Sequence, residues 1–586
     1  MLFSAISGYY KKLEAVSSRL AMIDIMSEMF SDAGNGEIRE IVYMTQGVLG
    51  PPFEGIETGI AEKFAEAAIS AATGFERKEV DDLFRKSGDM GSAAEEMVGK
   101  TKLRRMEKKS LSAMEVFQAM LKIAGTSGEG SQGQKIKLLA GLMAASTPLE
   151  ARYITRLSLG TLRLGAGDAT ILEALSKSAT GGREFKSELE GAYNICCDLG
   201  KVAHVLAEKG KEGILHFKVE AFSPIKPALA ERLPTAKEIL EKMHGRCAVE
   251  SKYDGMRVQV HMDKGRKKVE IFSRNIERVT EMFPDIANAA MKEIKAEKAI
   301  FEGEALAYDE VGGEFYPFQE TIQRKRKHGV EEKSKQLPLK LFAFDLLFID
   351  GTSMIGEPYE ERRKKLESVI AAGNVITAAD RIIAETPKDI DSYFDDVIGK
   401  GLEGIVAKDL QSPYIAGARK FSWIKMKRSY KGELSDTIDA VILGYYIGRG
   451  SRAEFRFGGL LAGTYNEEKD LFETLTKIGT GFTEEHMEMF RAMLEKIKRN
   501  AKHPRVESII EPDFWVEPKY VVTIRADEIT RSQMHTCGRD DGKAGYALRF
   551  PRIVSDGVRS DKGPEEATTT KEIIEMFKQQ RKTKVE

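Results

Sequence analysis

The hydrophobic pattern of the chain changes twice, and these two changes divide its 586 residues into three parts. Residues 1–217 are rich in helical periodicity broken by glycine-rich joints. Residues 218–428 open with the proline-flanked connector Phe222–Pro227 and then alternate strand-type with helix-type runs. Residues 429–586 contain about five short strands with glycines at the turns. The sequence therefore predicts a helical domain, an α+β domain and a small β-barrel of the OB type.

Charge and cysteine content limit the classes of protein that fit. Lysine and arginine total 90 and aspartate and glutamate total 91, so any nucleic-acid-binding surface must be a local patch. The four cysteines lack zinc-ligand spacing, which predicts free thiols in a reducing compartment. No apolar run reaches the length of a membrane span. We therefore expect a soluble cytoplasmic protein.

The octet Glu250–Arg257 places Lys252 beside an Asp-Gly turn. A lysine amine attacks phosphorus only when neutral, and its unperturbed pKa of about 10.4 makes neutrality at pH 7 cost about 4.6 kcal/mol. Nearby cations, of which Arg257 is one candidate, would lower that pKa. The octet thus suggests a covalent nucleotidyl transferase. Taken alone, it fits an ordinary β-hairpin around Asp254–Gly255 equally well.

Further motifs follow the octet and favour the first interpretation. They are, in chain order, Ser273–Asn275, Phe301–Glu304, Phe342–Leu347, Glu403–Lys408, Trp423–Lys427 and Arg559–Lys562. In this order the set resembles the ATP-dependent DNA ligases of the archaeal and eukaryotic type. Ala151–Arg156 and Thr161–Gly165 also resemble the DNA-binding domain of that family. The resemblance covers nearly the whole chain and implies a DNA-binding domain at 1–217, an adenylation (nucleotidyltransferase) domain at 218–428 and an OB-fold domain at 429–586.

The resemblance implies three phosphoryl transfers, in which positioning and charge neutralisation carry the catalysis. Lys252 would attack the α-phosphorus of ATP, release pyrophosphate and become a lysyl-AMP phosphoramidate. AMP would then pass to the 5′-phosphate of a nick in duplex DNA, and the adjacent 3′-hydroxyl would displace it. Such an enzyme serves DNA replication, repair and recombination.

The resemblance also assigns residues that contact the nucleotide. Glu250 lies two residues from Lys252 on one strand face, so its carboxylate could accept a hydrogen bond from the adenine amino group. Phe344 matches the aromatic residue that stacks on adenine. Two guanidinium groups match positions that contact the nucleotide or the nick, those of Arg257 and Arg274.

Acidic and basic residues complete the expected site. Glu304 and Glu403 match the positions that would hold Mg²⁺ beside the phosphate. Lys425 and Lys427 stand two apart in a strand and so point the same way. The other expected nucleotide-contacting cations are Arg419 and Lys408. The last motif, with Arg559, Asp561 and Lys562, would swing over the nucleotide about a hinge near 428–432.

Basic residues outside the core suggest contacts with DNA phosphates that position the duplex without reading its sequence. They are Lys100, Lys102, Arg104, Arg105, Lys108, Lys109 and the run 324–327. Archaeal relatives carry a clamp-binding segment near here, but Lys108–Ser112 lacks its glutamine and both aromatic residues. This absence argues against binding to a sliding clamp through the segment. The expected partner is nicked duplex DNA, bound by a monomer.

Two other functions share part of the pattern. An RNA ligase or a guanylyl-transferring capping enzyme has the lysine motif but lacks a helical domain such as 1–217. A non-catalytic DNA-binding scaffold would show gaps in the motif series, and none is evident. The DNA ligase interpretation accounts for more of the chain than either.

Overall fold

The structure is a computed structural model of the full chain. It describes residues 1–586 except 17, 104–109, 163, 310–313, 316–320, 322–323, 325–329, 331–333, 335–336, 372, 401, 428–436, 449–455, 541–543, 560–561 and 583–586. The side chains of 308–309, 314–315, 419, 555–557 and 579–582 are also outside the description. The chain clusters into two compact units. The first contains Met1–Glu231, Tyr253–Asp380 and Lys408–Trp423, and the second contains Arg232–Lys252, Arg381–Ala407 and Ile424–Glu586.

The amino-terminal part of the first unit is helical, as predicted. Its helices are α1 Phe3–Glu14, α2 Arg19–Asp32, α3 Ile38–Gln46, α4 Glu62–Thr73, α5 Arg77–Ser87, α6 Met90–Gly99, α7 Ala113–Gly125, α8 Ser131–Ala145, α9 Pro148–Ser158, α10 Asp168–Thr180, α11 Lys186–Asn194 and α12 Leu199–Leu215. Side-chain caps begin several of them; for example, Ser112 accepts a hydrogen bond from the amide of Glu115 at the start of α7. One apolar core joins these helices.

A seven-stranded sheet forms the rest of the first unit's core. Its strands are β3 Met256–Asp263, β4 Lys268–Ser273, β5 Lys298–Asp309, β6 Glu314–Phe315, β7 Leu339–Ile349, β8 Thr352–Ser353 and β9 Ile376–Ala378, with the central order β4-β3-β5-β7-β8. Helices Pro284–Glu293 and Tyr359–Val369 belong to the same unit. Alternate residues such as Val258 and Val260 are buried in an apolar core, which leaves the opposite face of β3 for polar side chains.

A five-stranded sheet carries the lysine octet. Its strands, in the order β1-β12-β11-β2-β10, are β1 Leu229–Arg232, β12 Arg419–Lys427, β11 Gly404–Lys408, β2 Cys247–Lys252 and β10 Arg381–Ala384. Helices Ala236–Lys242 and Pro387–Gly399 belong to the second unit. The octet is therefore the end of β2, the turn after it and the first two residues of β3. The alternating strand and helix runs predicted for this part of the chain are confirmed.

The carboxyl-terminal part is a curled β-sheet, which confirms the predicted β fold. The strands of this sheet are β13 Ile438–Tyr446, β14 Gly459–Asn466, β15 Leu471–Ile478, β16 Lys498–Arg499, β17 Val506–Glu507, β18 Phe514–Val516, β19 Val521–Arg525 and β22 Arg552–Arg559. Strands β20 Glu528–Ser532 and β21 Gly545–Arg549 pair with each other in a separate two-stranded sheet. Helices Glu484–Glu495 and Thr570–Lys582 accompany it. Inward-facing apolar residues such as Ile442, Leu460 and Val522 form its core. The expected domain boundaries at 217/218 and 428/429 stay predictions.

The cysteines are buried thiols. Cys196, Cys197, Cys247 and Cys537 are all buried and free of disulfides, as predicted. Burial raises the pKa of Cys196, Cys197 and Cys537 to about 12, which keeps these thiols protonated. Within the described ranges, no helix is long and apolar enough to cross a membrane.

Candidate active site

Lys252, the last residue of β2, is joined through one carboxylate to a second lysine. Its Nζ contacts Oε2 of Glu403, and the Nζ of Lys427 contacts Oε1 of the same side chain. All three side chains are about one-fifth exposed, at 22%, 17% and 19%. The main chain reinforces the arrangement, because the Glu403 amide donates to the Lys252 carbonyl oxygen at 3.1 Å. Two residues that lie 151 positions apart in sequence are thus in direct contact.

The charge of Glu403 reflects these two neighbours. Burial alone would raise the pKa of its carboxyl group, but the ammonium groups of Lys252 and Lys427 outweigh burial and hold that pKa below its ordinary value. Glu403 is therefore a carboxylate at neutral pH. The sequence predicted cations near Lys252, and Lys427 is one, but the group that contacts the amine directly is an acid.

Gly404 makes this approach possible. Its φ of +149° and its contact with the next strand both exclude a side chain, because a Cβ atom there would lie 2.2 Å from the carbonyl oxygen of Met426. The close approach of β11 to β12 brings Glu403 beside Lys427. The sheet therefore requires a glycine directly after Glu403.

Strand periodicity places the neighbouring predicted residues. On β12, Met426 is buried whereas Lys425 and Lys427 are half-buried, which agrees with the predicted shared face of the two lysines. Glu250 is 3% exposed and lies opposite Arg381 in the β2–β10 register. Its role with adenine stays a prediction. Arg419 begins β12, and its side chain lies outside the described atoms.

A second polar cluster lies on the seven-stranded sheet and is centred on Arg257. Its Nη2 donates to Oε2 of Glu302 at 2.8 Å, and its Nη1 donates to the carbonyl oxygen of Ala228 at 2.8 Å. The Tyr414 hydroxyl also donates to Oε2 of Glu302, at 2.8 Å, and accepts from the Ala228 amide at 2.9 Å. Burial would lower the pKa of Arg257, but the charge of Glu302 outweighs it and raises that pKa. Arg257 is therefore a fixed cation.

Sequence reasoning did not single out Glu302 or Tyr414. Glu302 alternates with Glu304 on β5, and only Glu304 was assigned a role. Glu304 is half-buried and lies opposite Arg257 in the β3–β5 register. The alternation of Glu302 and Glu304 on one strand face could have indicated an acidic partner for Arg257. Metal binding by Glu304 stays a prediction.

Phe344 lies among aromatic rings and two cations. Its ring is 6.0 Å from that of Trp423, edge to face, and 5.4 Å from the guanidinium carbon of Arg257. Lys408, which is 1% exposed, places its Nζ 4.7 Å from the Phe344 ring centre and donates to the Phe344 carbonyl oxygen at 3.1 Å. The next residue, Asp345, forms a fully buried pair with Arg362 at 2.7 Å. This surrounding fixes the strand beneath Phe344, whose stacking on adenine stays a prediction.

Arg257 and Arg274 line one small, partly open cleft. Its other lining residues are Ile225, Pro227, Val258, Gln259, Ser273, Ile276 and Glu302. Arg274 is exposed and belongs to a tight turn in which Ile276 has a φ of +63°, and the Ile276 amide donates to the Ser273 carbonyl at 2.9 Å. A β-branched residue in the left-handed region is strained, and such strain is held where the surroundings determine the backbone.

Two buried side chains of β3 attach the proline-rich connector to this cleft. Gln259 accepts from the Ile225 amide at 2.8 Å and donates to its carbonyl oxygen at 3.0 Å. The Nδ1 of His261 accepts from the Phe222 amide at 3.0 Å, and its Nε2 donates to Oε1 of Gln259 at 2.8 Å. Burial lowers the pKa of His261 to about 3, so the ring is neutral and can accept one hydrogen bond while it donates the other.

The last motif is held within the curled sheet. Arg559 and Lys562 both donate to the carboxylate of Asp439, at 3.1 and 2.7 Å. Asp561 lies outside the described residues, as do the expected hinge at 428–432, the basic residues Arg104, Arg105, Lys108 and Lys109, and the run 325–327.

One predicted DNA contact is wrong. Arg324 is 1% exposed and forms a two-pronged pair with Asp285, at 2.9 and 3.0 Å, so it is a structural cation and not a surface contact. Lys100 and Lys102 are exposed and pair with Glu96 and Glu79 on the surface. Among the described residues, no group of three or more His, Cys, Asp or Glu side chains is arranged to hold a metal ion.

Comparison with known proteins gives matches along most of the chain. Three family models match, described as DNA ligase N terminus at 2–176, ATP dependent DNA ligase domain at 227–427 and ATP dependent DNA ligase C terminal region at 453–562. A probable DNA ligase of Dictyoglomus turgidum is 47% identical over 586 residues, which cover 100% of this chain and 99% of that protein. A DNA ligase of Saccharolobus solfataricus is 41% identical over 598 aligned positions, with 100% and 99% covered.

The fold comparison agrees with these matches. The solved structure named Pmar-Lig_Pre is 17% identical and superposes with a TM-score of 0.55. The match covers 95% of this chain and 99% of that one. At this identity the likeness concerns the fold, which is shared over nearly the whole length.

Proposed function

Because the chain belongs to the ATP-dependent DNA ligase family and is a DNA ligase, we propose that it seals nicks in duplex DNA through a lysyl-AMP intermediate on Lys252. The observation that carries the proposal is the contact of Lys252 with Glu403 and, through it, with Lys427. These residues come from three different motifs that sequence alone could only place in order. Their meeting at one point is what a covalent site on Lys252 requires.

In the first step the neutral Nζ of Lys252 attacks the α-phosphorus of ATP. A P–N bond forms, the P–O bond to the β-phosphate breaks, and pyrophosphate leaves. Glu403 contacts both Lys252 and Lys427, so one carboxylate holds the nucleophile beside a second lysine.

In the second step an oxygen of the 5′-phosphate at the nick attacks the adenylate phosphorus, the P–N bond breaks, and Lys252 regains its proton. In the third step the 3′-hydroxyl attacks the 5′-phosphate and AMP leaves.

Arg257 is held by Glu302 and shares a cleft with Arg274, so two guanidinium groups are available there for phosphate oxygens. Orientation by fixed cations is the main contribution a protein makes to phosphoryl transfer.

We assign Mg²⁺ to Glu304 and Glu403, the two acidic positions that the motifs match. Glu403 is a carboxylate at neutral pH, and carboxylate oxygens suit Mg²⁺, which often binds through one or two carboxylates plus substrate phosphates. When bound, Mg²⁺ neutralises charge on the phosphates. Glu250 and Phe344 are the residues we assign to adenine, and Arg419, Lys408 and Lys425 complete the cationic set. Arg559, Asp561 and Lys562 act in the first step.

We expect the enzyme to act inside the cell, as a monomer on nicked duplex DNA, in replication, repair and recombination. The test is a sealing assay with one labelled nick, run with ATP, ADP, GTP or NAD and with or without Mg²⁺. We expect sealing with ATP and Mg²⁺. A nick with RNA on both sides provides the comparison, because an RNA ligase would prefer it. Sealing of that substrate alone, or no sealing with any donor, would refute the proposal.

A further inference from the structure

Asp439, near the start of β13, is a buried carboxylate that receives three side chains. Its Oδ1 accepts from the Thr523 hydroxyl at 2.7 Å, and its Oδ2 accepts from Lys562 at 2.7 Å and from Arg559 at 3.1 Å. The side chain of Asp439 is 8% exposed, whereas Arg559 and Lys562 are 35% and 36% exposed. Both cations thus have an outer side that remains open to solvent.

The sheet register explains how Asp439 reaches these residues. Strand β19 lies between β13 and β22, with Asp439 opposite Thr523 and Val521 opposite Arg559. The main chain of Asp439 also holds the segment that follows, because its amide donates to the Thr568 hydroxyl at 3.0 Å and its carbonyl accepts from the Thr568 amide at 2.9 Å. One residue therefore fixes the motif by its side chain and the downstream segment by its backbone.

The exposure of the two cations leaves them open to an anion. Arg559 and Lys562 contact Asp439 on one side and are each about one-third exposed, at 35% and 36%. Hydrogen bonds between charged groups are short and directional, so they restrict the rotamers of long side chains. Side chains that are already ordered lose less conformational entropy when they bind a ligand. Asp439 does not compete for the exposed side, because it is buried behind the two cations.

We propose that Asp439 is a positioning residue that holds Arg559 and Lys562 in the orientation in which they contact the pyrophosphate portion of ATP during self-adenylation. The proposal rests on the proposed function, which assigns these two cations to the first step. It makes Asp439 necessary for that step and unnecessary for sealing a nick that is already adenylated. If Asp439 instead held the two cations away from ATP, its replacement would speed the first step.

The test compares Asp439→Asn with Thr523→Val in the full-length protein. Asparagine keeps the size and one oxygen but removes the charge that both cations need, whereas valine at 523 removes only the neutral hydrogen bond to the same carboxylate. The rate of lysyl-AMP formation is measured over a range of ATP concentrations, together with sealing of a pre-adenylated nick. For Asp439→Asn we expect formation to slow by about tenfold, mainly as a higher KM for ATP, with sealing within about twofold of wild type. Thr523→Val should behave as wild type.

Two additions keep the test decisive. In a background of Arg559→Ala and Lys562→Ala, Asp439→Asn should add little, since the groups it positions are gone. If Asp439→Asn does not fold, Asp439→Glu retains the charge one methylene away and should show a smaller slowing of the same step. Unchanged or faster lysyl-AMP formation, or an equal loss in sealing, would overturn the role of Asp439. Wild-type protein that forms no lysyl-AMP would instead overturn the proposed function.

Discussion

The carboxylate of Glu302 holds the guanidinium group of Arg257 at 2.8 Å in a site where the acid is 2% exposed. A buried ion pair of this kind tolerates poorly the loss of one partner, because the other charge is left without compensation. The pair lies next to Phe344 and at the wall of the cleft that contains Arg274. Its integrity therefore bears on both stability and nucleotide binding.

We predict that Glu302→Gln lowers the free energy of unfolding by about 3 kcal/mol and slows lysyl-AMP formation, because Arg257 loses its charged partner. Thermal unfolding and labelling with ATP measure the two effects. The comparison variant is Tyr414→Phe, which removes the hydroxyl that donates to the same oxygen and accepts from the Ala228 amide, and it should cost about 1.5 kcal/mol. Equal effects of the two substitutions would show that the charge of Glu302 is unimportant.

Removal of Glu403 should affect the chemistry more than the fold. We predict that Glu403→Ala slows lysyl-AMP formation by about a hundredfold or more and weakens its dependence on Mg²⁺, because the carboxylate that contacts both Lys252 and Lys427 is lost. A titration of Mg²⁺ against labelling rate measures this. Asp396→Ala, which alters an exposed acid paired with Lys400, is the control and should leave the titration unchanged.

Gly404 allows a direct test of the close approach between β11 and β12. We predict that Gly404→Ala lowers the stability by about 2 kcal/mol or more, because the new Cβ would meet the Met426 carbonyl oxygen and the backbone φ of +149° disfavours a side chain. The control is Gly399→Ala, where a Cβ would have no neighbour within 4 Å. Melting temperatures of the two variants decide the matter, and a Gly404→Ala protein as stable as wild type would contradict the geometry.

Much of this arrangement was predictable from local pattern. The alternation that places Lys425 and Lys427 on one face follows from the two-residue period of a strand, and the structure agrees. Helical periodicity likewise predicted the helical fold of the amino-terminal part, and short strands bounded by glycines predicted the β fold of the carboxyl-terminal part.

Partners that are distant in sequence were not predictable in the same way. Tyr414 meets Glu302 across 112 positions, and Lys562 meets Asp439 across 123, and no periodicity connects such pairs. Arg324 shows the reverse error. The basic run 324–327 predicted an exposed contact with DNA, but Arg324 is buried in an ion pair with Asp285, 39 positions earlier in the sequence.

His261 makes the stability depend on pH in a specific window. Its pKa is about 6.5 when unfolded and is lowered to about 3 by burial, so the unfolded chain binds the proton more readily. The stabilising contribution is complete above about pH 6.5 and is lost as the pH falls toward 3, by up to about 1.4 kcal/mol for each pH unit. Protonation would also place a hydrogen on Nδ1, which accepts from the Phe222 amide.

We therefore predict that His261→Asn, which keeps an acceptor for that amide, flattens the decline of stability between about pH 6.5 and about pH 4 relative to wild type. Chemical unfolding of both proteins across this range measures the difference. Parallel curves for the two proteins would mean that the ring is not held neutral in the folded state.

The most direct test of the account is covalent labelling of Lys252. Wild type, Lys252→Ala and the control Lys237→Ala, an exposed lysine of helix Ala236–Lys242, are each incubated with ATP labelled at the α-phosphate and then denatured. We predict that AMP remains attached to wild type and to Lys237→Ala and is absent from Lys252→Ala, which should still seal a pre-adenylated nick to a measurable extent. Labelling of Lys252→Ala at the wild-type level would contradict the account.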